Sequence, residues 1–123
     1  IKFYGYLDKE IKKEFNTYID LIKNAKLFIN PTKKGGTFIT TLEVMSYYTP
    51  IMIFPYDEFK EVFPDYETLG IFLESENEEN IAKKMELILK NNDLWIEKSK
   101  NCRKAVEGLA WDNFTERLLD LLK

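Results

Sequence analysis

The segment that most constrains the fold runs from Asn30 to Phe54 and reads NPTKKGGTFITTLEVMSYYTPIMIF. It contains a glycine-bearing turn and a helix with one glutamate, set between two apolar runs, AKLFIN and PIMIF. Such runs are typical of strands buried on both faces of a parallel sheet. Phe38, Leu42 and Met45 fall at i, i+4 and i+7, which predicts a helix of roughly ten residues. The order of strand, helix and strand therefore predicts a parallel pair with a right-handed crossover.

The chain before this unit reads as one strand and one helix. Ile1 to Tyr4 has the composition of a short strand that stops at Gly5. Asp8 is placed to cap an amphipathic helix that runs to about Asn24, with Tyr18 on its apolar side.

The chain after Phe54 reads mainly as helices. A turn-rich stretch comes first, with one helical turn at Asp57 to Val62 and a weak strand at Ile71 to Leu73. Three helices are then predicted, over Asn77 to Asn91, from Asp93 to about Leu109, and from a cap at Asp112 onward.

Composition limits the classes of function. The 123 residues, of which 45% are hydrophobic, suit one globular domain. A net charge of −3, with basic residues scattered along helices, gives no reason to expect nucleic acid. The chain has no histidine, and Cys102 is its one cysteine, which excludes disulfide frameworks, the usual zinc sites and Ser/His/Asp or Cys/His catalysis. We interpret Cys102 as a helix residue in a reduced compartment.

The candidate binding site is the loop from Thr32 to Thr37. It follows a strand, and open α/β sheets bind ligands beyond the carboxyl ends of their strands. Gly35 and Gly36 free the backbone of Cβ atoms. The amides of Gly36, Thr37 and Phe38 can then converge on an anion, such as a phosphate, at the positive end of the helix dipole.

Charged residues on both sides of the glycine pair bear on this hypothesis. Lys33 and Lys34 add positive charge, but a flexible turn with solvent-facing lysines is an equal alternative from the loop alone. Glu43 lies two turns into the helix, and its side chain should lean back toward the glycine loop. A carboxylate there can accept hydrogen bonds from paired ribose hydroxyls. The alternative for Glu43 is an exposed helix glutamate.

The sequence TLEVMSYYTPIMIF resembles the donor-nucleotide half of retaining GT-B glycosyltransferases, of the glycosyltransferase family 4 or group 1 type. In that family a Glu, seven residues and a second Glu precede Ala-Met-Ala-x-Gly-x-Pro-Val, and Glu43 falls on the second Glu. The segments FYGYLDKE, AKLFINPT and LAWDNFTERLLDLL resemble three further family segments. The resemblance therefore spans nearly the whole chain in the right order.

Three departures separate the chain from the family pattern. Gly35 stands at the first glutamate, so backbone amides would replace a side chain there. Tyr48 stands where a glycine usually ends the helix, so either the left-handed cap glycine is lost, at a cost of ~1 kcal/mol, or the turn differs. The basic residues that hold the diphosphate would precede Ile1 and are absent here, as are two strands that normally lie between Ile1–Tyr4 and Ala25–Asn30 in the sheet.

The resemblance implies an α/β fold, with an incomplete Rossmann-like parallel sheet flanked by helices. Residues 1–123 would form a single α/β domain, a fragment of a nucleotide-sugar-binding domain. The implied enzyme is a retaining hexosyltransferase of polysaccharide biosynthesis, which transfers a sugar from a nucleotide-diphosphate sugar to a saccharide or lipid-linked acceptor. No Asp-x-Asp pair is present to hold Mg²⁺, so we expect metal-independent chemistry and no cofactor. The implied donor-binding residues are Gly35, Gly36, Thr37, Phe38, Glu43, Lys33 and Lys34.

Two alternatives stay open. One is a nucleotide-sugar epimerase of GT-B architecture, which would be expected to need histidine among its acids and bases. The other is a non-catalytic α/β interaction module. We expect the acceptor to bind an N-terminal domain outside this chain, so the 123 residues alone should be inactive. Uncovered sheet edges predict self-association of the fragment. The expected location is the cytoplasm, with peripheral attachment to the inner membrane surface as a variant.

Overall fold

The computed structural model describes residues 1–33 and 38–123, without the side chains of residues 111, 114 and 117. In these residues helices flank one three-stranded parallel sheet, which confirms the predicted α/β class. The strands are β1 (Phe28–Asn30), β2 (Ile51–Ile53) and β3 (Gly70–Phe72). The helices are α1 (Lys12–Asn24), α2 (Ile39–Ser46), α3 (Asp57–Val62), α4 (Glu78–Lys90), α5 (Asn92–Glu107) and α6 (Trp111–Leu121), with a 3₁₀ turn at Tyr66–Thr68.

The sheet has the order β1-β2-β3, so β2 is its central strand. Phe28 pairs with Ile51 on one side of β2, and Ile51 pairs with Gly70 on the other. All three residues of β2 are buried, as its continuous apolar run predicts. The residues of β1 are only half-buried, so the prediction that this strand is buried on both faces is wrong. In the described sheet β1 has a neighbouring strand on one side only, so fewer side chains pack beside its own than beside those of β2.

Side chains of β2 alternate between two core clusters, one on each face of the sheet. Ile51 and Ile53 pack into the larger cluster, with residues of α1, α2, α3 and α5. Met52 packs into the smaller one, whose neighbours include Ile81 and Met85 of α4. The central strand is therefore covered by helices on both faces, as expected for a parallel sheet.

The N-terminal strand predicted at Ile1 to Tyr4 is absent from the structure. These residues have no regular secondary structure, and Ile1 and Phe3 are almost fully exposed. A single extended segment is not stable alone, because its backbone N–H and C=O groups need a neighbouring strand. Within the described residues, β1, β2 and β3 pair only with one another.

The start of α1 also differs from the prediction. Asp8 does not cap the helix, because its carboxylate accepts a hydrogen bond from the Glu10 amide at 2.9 Å, within a local turn. The Asp8 amide in turn donates to the Glu14 carboxylate at 2.7 Å. The helix begins at Lys12, after Ile11, and ends at the predicted Asn24.

Asparagine side chains cap the next two long helices. Asn77 accepts from the Asn80 amide at 3.0 Å, which confirms the predicted start of α4. Asn91 accepts from the Leu94 amide at 3.0 Å and caps α5, so the prediction that Asp93 opens this helix is wrong. An N-cap side chain must reach an amide two or three residues ahead, and Asn91 already holds that position.

The predicted cap of the last helix is wrong as well. α6 begins after Ala110, whose side chain offers no cap, and Asp112 lies inside the first turn. A negative charge there still interacts favourably with the helix dipole.

A Schellman turn ends α2, and Tyr48 occupies its left-handed position with φ 63°. The Tyr48 amide donates to the Met45 carbonyl at 3.1 Å, and the Thr49 amide donates to the Val44 carbonyl at 3.2 Å. The turn geometry that glycine usually adopts is therefore kept with a tyrosine. The sequence left open whether the cap glycine is lost or the turn differs. In the structure the turn is unchanged and Tyr48 replaces the glycine.

Candidate functional site

The parallel strands place three loops at one edge of the sheet, after Asn30, Ile53 and Phe72. The predicted ligand loop is the first of these. Its opening is fixed by Asn30, whose side-chain oxygen accepts from the Thr32 amide at 3.1 Å. This Asx turn bends the chain away from β1 as soon as the strand ends.

Four of the predicted donor-binding residues lie outside the described part of the chain. They are Lys34, Gly35, Gly36 and Thr37. The anion-binding amides assigned to this loop therefore stay a prediction.

Phe38, the last residue of the predicted amide site, anchors the start of α2. Its ring lies 5.9 Å from that of Tyr56 and 5.6 Å from that of Phe59, centroid to centroid. Its carbonyl accepts from the Leu42 amide at 3.0 Å, which closes the first turn of the helix. The aromatic contacts therefore fix where α2 begins relative to the sheet.

Lys33 connects the first loop to the third. Its ammonium lies 3.5 Å from the Glu76 carboxylate, and it also lies 5.7 Å from the centroid of the Phe54 ring. Both side chains of the ion pair are more than half exposed. An exposed pair of this kind contributes about 0–1 kcal/mol, so Lys33 can leave Glu76 for an anionic ligand at little cost.

Glu43 is the centre of a group of polar contacts between α2 and the N-terminal region. Lys9 donates to its two carboxylate oxygens, at 2.8 Å to Oε1 and 3.1 Å to Oε2. The Tyr18 hydroxyl of α1 donates to Oε2. The Lys9 ammonium also lies 4.4 Å from the centroid of the Tyr18 ring, in cation–π range. We call these three residues the Glu43 cluster.

The carboxylate of Glu43 lies beside the first turn of α2. Thr40, which is one turn closer to the start of the helix, also interacts with the Tyr18 hydroxyl that donates to Glu43. This agrees with the expected lean of the side chain toward the N-terminus. The Glu43 side chain is about one-third exposed (32%), so it can still be reached from solvent.

The Tyr18 hydroxyl is a donor over the whole physiological pH range. Partial burial, followed by the hydrogen bond to Glu43 and its negative charge, raises the pKa of Tyr18 to about 12. A phenolate next to the carboxylate would repel it and would have no proton to donate. Tyr18 therefore stays neutral and keeps its hydrogen bond to Glu43.

Sequence reasoning missed Lys9 and Tyr18 as partners of Glu43. They lie 34 and 25 residues before it, which is too far for any helix or strand periodicity to connect them. The sequence places Tyr18 on the apolar side of α1, and its ring does pack beside the core. The one usable signal was that this apolar side carries a tyrosine, because a buried phenol usually finds a hydrogen-bond partner.

The profile of the family described as "Glycosyl transferases group 1" matches residues 1–108. The chain belongs to this family. The resemblance inferred from the sequence is confirmed over residues 1–108, whereas the segment LAWDNFTERLLDLL lies beyond the matched range. This group 1 glycosyl transferase chain has no match among curated protein sequences.

A solved structure supports the same fold. The chain is similar to the crystal structure of the C-terminal domain of a glycosyl transferase group 1 family protein, LpcC, from Francisella tularensis. The TM-score is 0.62 at 17% sequence identity, over 86% of this chain and 50% of that chain. The group 1 glycosyl transferase chain therefore spans half the length of that solved domain.

Within the described residues of this group 1 glycosyl transferase chain, no helix combines the length and apolarity that crossing a membrane requires.

Proposed function

We propose that the chain forms most of the donor-binding half of a retaining, metal-independent glycosyltransferase. The enzyme would take a hexose from a nucleotide-diphosphate sugar and transfer it to a saccharide or lipid-linked acceptor in polysaccharide biosynthesis. The observation that carries this proposal is the family match over residues 1–108. The position of Glu43, partly exposed on the helix that follows the glycine loop, supports the donor-binding part.

The donor would bind across the start of α2. The amides of Gly36, Thr37 and Phe38 would take the phosphates or sugar hydroxyls, because unpaired helix N-terminal amides and the helix dipole attract anions. Glu43 would accept hydrogen bonds from the ribose hydroxyls. Lys33, whose pair with Glu76 is exposed, would add positive charge near the diphosphate.

The chemistry that we propose rests on stabilising the leaving group. Negative charge develops on the diphosphate as the glycosidic bond breaks, and amides, helix dipole and lysine would stabilise it without a metal. The acceptor hydroxyl would attack from the face that the diphosphate leaves, which gives retention. A separate domain would have to hold the acceptor against the donor, because catalysis needs the two reacting groups close together and correctly oriented.

The first test is product analysis with the full-length protein and a panel of nucleotide-diphosphate sugars. A glycosylated acceptor with the anomeric configuration of the donor supports the proposal. A product of inverted configuration contradicts retention, and conversion of the donor into an epimer of its own sugar contradicts transfer.

The second test is calorimetric titration of the same donors into the variant Glu43→Gln. This change keeps the size of the side chain but removes the charge that strengthens its hydrogen bonds to hydroxyls. We expect donor binding to weaken by about 1.5–3 kcal/mol. Glu97→Gln, at an exposed position of α5, is the matched control and should bind the donor as the wild type does.

Gly36→Val extends the titration to the loop. A β-branched side chain there would obstruct the phosphate, so we expect weaker binding than in Glu43→Gln. Thermal unfolding of each variant checks that the fold is intact. Wild-type binding in both Glu43→Gln and Gly36→Val would remove the donor site from this loop and helix.

A further inference from the structure

We propose that Tyr18 positions the Glu43 carboxylate for the ribose diol of the donor, and that Lys9 occupies the place of that diol until the ligand displaces it. The inference rests on the proposed function, because it takes Glu43 as the acceptor of the ribose hydroxyls. It adds two residues of the N-terminal region to the site and gives them opposite effects on binding.

Tyr18 has the geometry of a positioning residue. Its ring packs against the core while its hydroxyl donates to Oε2 of Glu43. The packing of α1 therefore holds this hydroxyl in place. Thr40, in the first turn of α2, also interacts with this hydroxyl. A glutamate side chain that is free in solvent samples several rotamers, and a ligand would have to order it on binding. Tyr18 orders the carboxylate beforehand.

Lys9 has the geometry of a displaceable counterion. Its ammonium contacts both carboxylate oxygens, at 2.8 and 3.1 Å, and so spans the pair of acceptors that two neighbouring hydroxyls would use. The Lys9 side chain is nearly half exposed (46%), and exposed ion pairs are weak. The centroid of the Tyr18 ring lies 4.4 Å from the ammonium. The ring therefore still attracts the ammonium when Lys9 leaves the carboxylate.

A purely structural role for the cluster predicts different results. If Lys9 and Tyr18 only fasten the N-terminal region to α2, their removal lowers thermal stability and affects all ligands alike. A positioning role changes the discrimination between ligands with and without the diol. The useful quantity is therefore the ratio of two dissociation constants, for a 2′,3′-dideoxynucleoside diphosphate and for the matching ribonucleoside diphosphate.

The experiment is calorimetric titration of the full-length protein. The probes are UDP, GDP and ADP with their 2′,3′-dideoxy analogues. The nucleotide that the wild type binds is then used, with its dideoxy analogue, for all variants. Tyr18→Phe removes only the hydroxyl, and we expect it to lower the dideoxy-to-ribo ratio by roughly fivefold. Lys9→Met removes the competing cation, and we expect it to raise this ratio by about two- to fivefold.

Matched controls separate these effects from general changes. Tyr47→Phe removes a hydroxyl at the end of α2, and Lys13→Met removes a charge from an exposed position of α1. Both should leave the ratio at the wild-type value. Glu43→Gln should lower the ratio, because the acceptor of the diol loses its charge. Thermal unfolding is followed for every variant, so that each titration is made on folded protein.

The outcomes distinguish the inference from the function on which it rests. If the wild type binds none of the probes, or Glu43→Gln keeps the wild-type ratio, the assignment of Glu43 to the ribose fails. If Glu43→Gln lowers the ratio and Tyr18→Phe leaves it at the wild-type value, the positioning role is overturned while the proposed function stands. An unchanged or lower ratio in Lys9→Met overturns its role as the displaced group.

Discussion

At the residue scale, Tyr48 holds a backbone conformation that glycine adopts far more easily. Its φ of 63° is imposed by the two hydrogen bonds of the Schellman turn. The ring lies 5.9 Å from the Arg103 guanidinium, which donates to the Ser46 carbonyl at 2.8 Å. These side-chain contacts offset part of the left-handed strain, which costs about 1–2 kcal/mol in an L-residue.

A pair of substitutions separates the backbone from the ring. Tyr48→Gly and Tyr48→Ala both delete the ring, but only glycine relieves the left-handed strain. We expect the glycine variant to be more stable than the alanine variant by about 1 kcal/mol in chemical denaturation, after the greater flexibility of unfolded glycine is allowed for. The same two substitutions at Lys83, in the middle of α4, should give the opposite order. Equal stabilities at position 48 would contradict the left-handed turn.

Cys102 is a second residue whose chemistry depends on burial. Its thiol is fully buried in α5 and donates to the Leu69 carbonyl at 2.8 Å. Burial raises the pKa of this thiol from 9.0 to about 12, outweighing smaller effects in the other direction. Since thiolate is the reactive form, the folded chain should be inert toward thiol reagents.

The test is the reaction of the native and the denatured chain with a coloured disulfide reagent. We expect one thiol to react in denaturant and almost none without it. Because of the raised pKa, the Cys102 thiol of the unfolded chain loses its proton at a lower pH than that of the folded chain. The free energy of unfolding should therefore fall as pH rises between 9 and about 12, while this contribution is fully present below pH 9. Rapid reaction of the native thiol at neutral pH would contradict its burial.

At the element scale, the sheet depends on the close approach of β3 to β2. Gly70 pairs with Ile51, and a Cβ at position 70 would lie 2.0 Å from the Ile51 carbonyl oxygen and 2.8 Å from its Cγ1. The first of these atoms is backbone and cannot rotate away. Glycine is therefore required here for space and not for its backbone dihedral freedom.

Gly70→Ala should accordingly push β3 away from the central strand. We expect a loss of at least about 2 kcal/mol in the free energy of unfolding, at the upper end of overpacking effects. Gly108→Ala is the matched control, because Gly108 ends α5 with a right-handed φ of −75° that alanine adopts freely. The control should change stability by less than about 0.5 kcal/mol. Similar stabilities for the two variants would contradict the close strand approach.

At the scale of the whole molecule, much apolar surface is left uncovered. The edge strand β1 is half-buried and has a strand on one side only in the described sheet. Large side chains are exposed in the N-terminal region and on or just after α6, and these are Ile1, Phe3, Tyr6, Leu118, Leu119, Leu121 and Leu122. Uncovered strand edges and apolar patches of this kind favour association between chains.

We therefore expect the isolated 123 residues to self-associate. Sedimentation velocity should give a weight-average mass that rises with protein concentration. A double variant, Leu118→Lys with Leu122→Lys, places charge on the exposed face of α6 and should shift the distribution toward the monomer. Lys83→Gln, on the exposed side of α4, is the control that changes charge elsewhere. A strict monomer at all concentrations would contradict this expectation.

The sequence by itself determined the elements whose signals are local. The apolar run PIMIF placed β2, the i, i+4, i+7 stripe placed α2, and α3 was predicted at its observed bounds, Asp57–Val62. These succeed because helix hydrogen bonds and strand burial leave their patterns within a few neighbouring residues. The choice of Glu43 for the candidate site came from the same source, since its position on α2 follows from the spacing alone.

Only the tertiary structure decided what depends on distant neighbours. Ile1 to Tyr4 reads as a strand but forms none, because strand pairing needs a partner that local sequence does not specify. The partners of Glu43 come from 34 and 25 residues earlier in the chain. The packing of α1 against α2 brings Tyr18 there, and the turn that precedes α1 carries Lys9. The sequence thus specified which carboxylate stands near the start of α2. The fold decided which side chains hold that carboxylate in place.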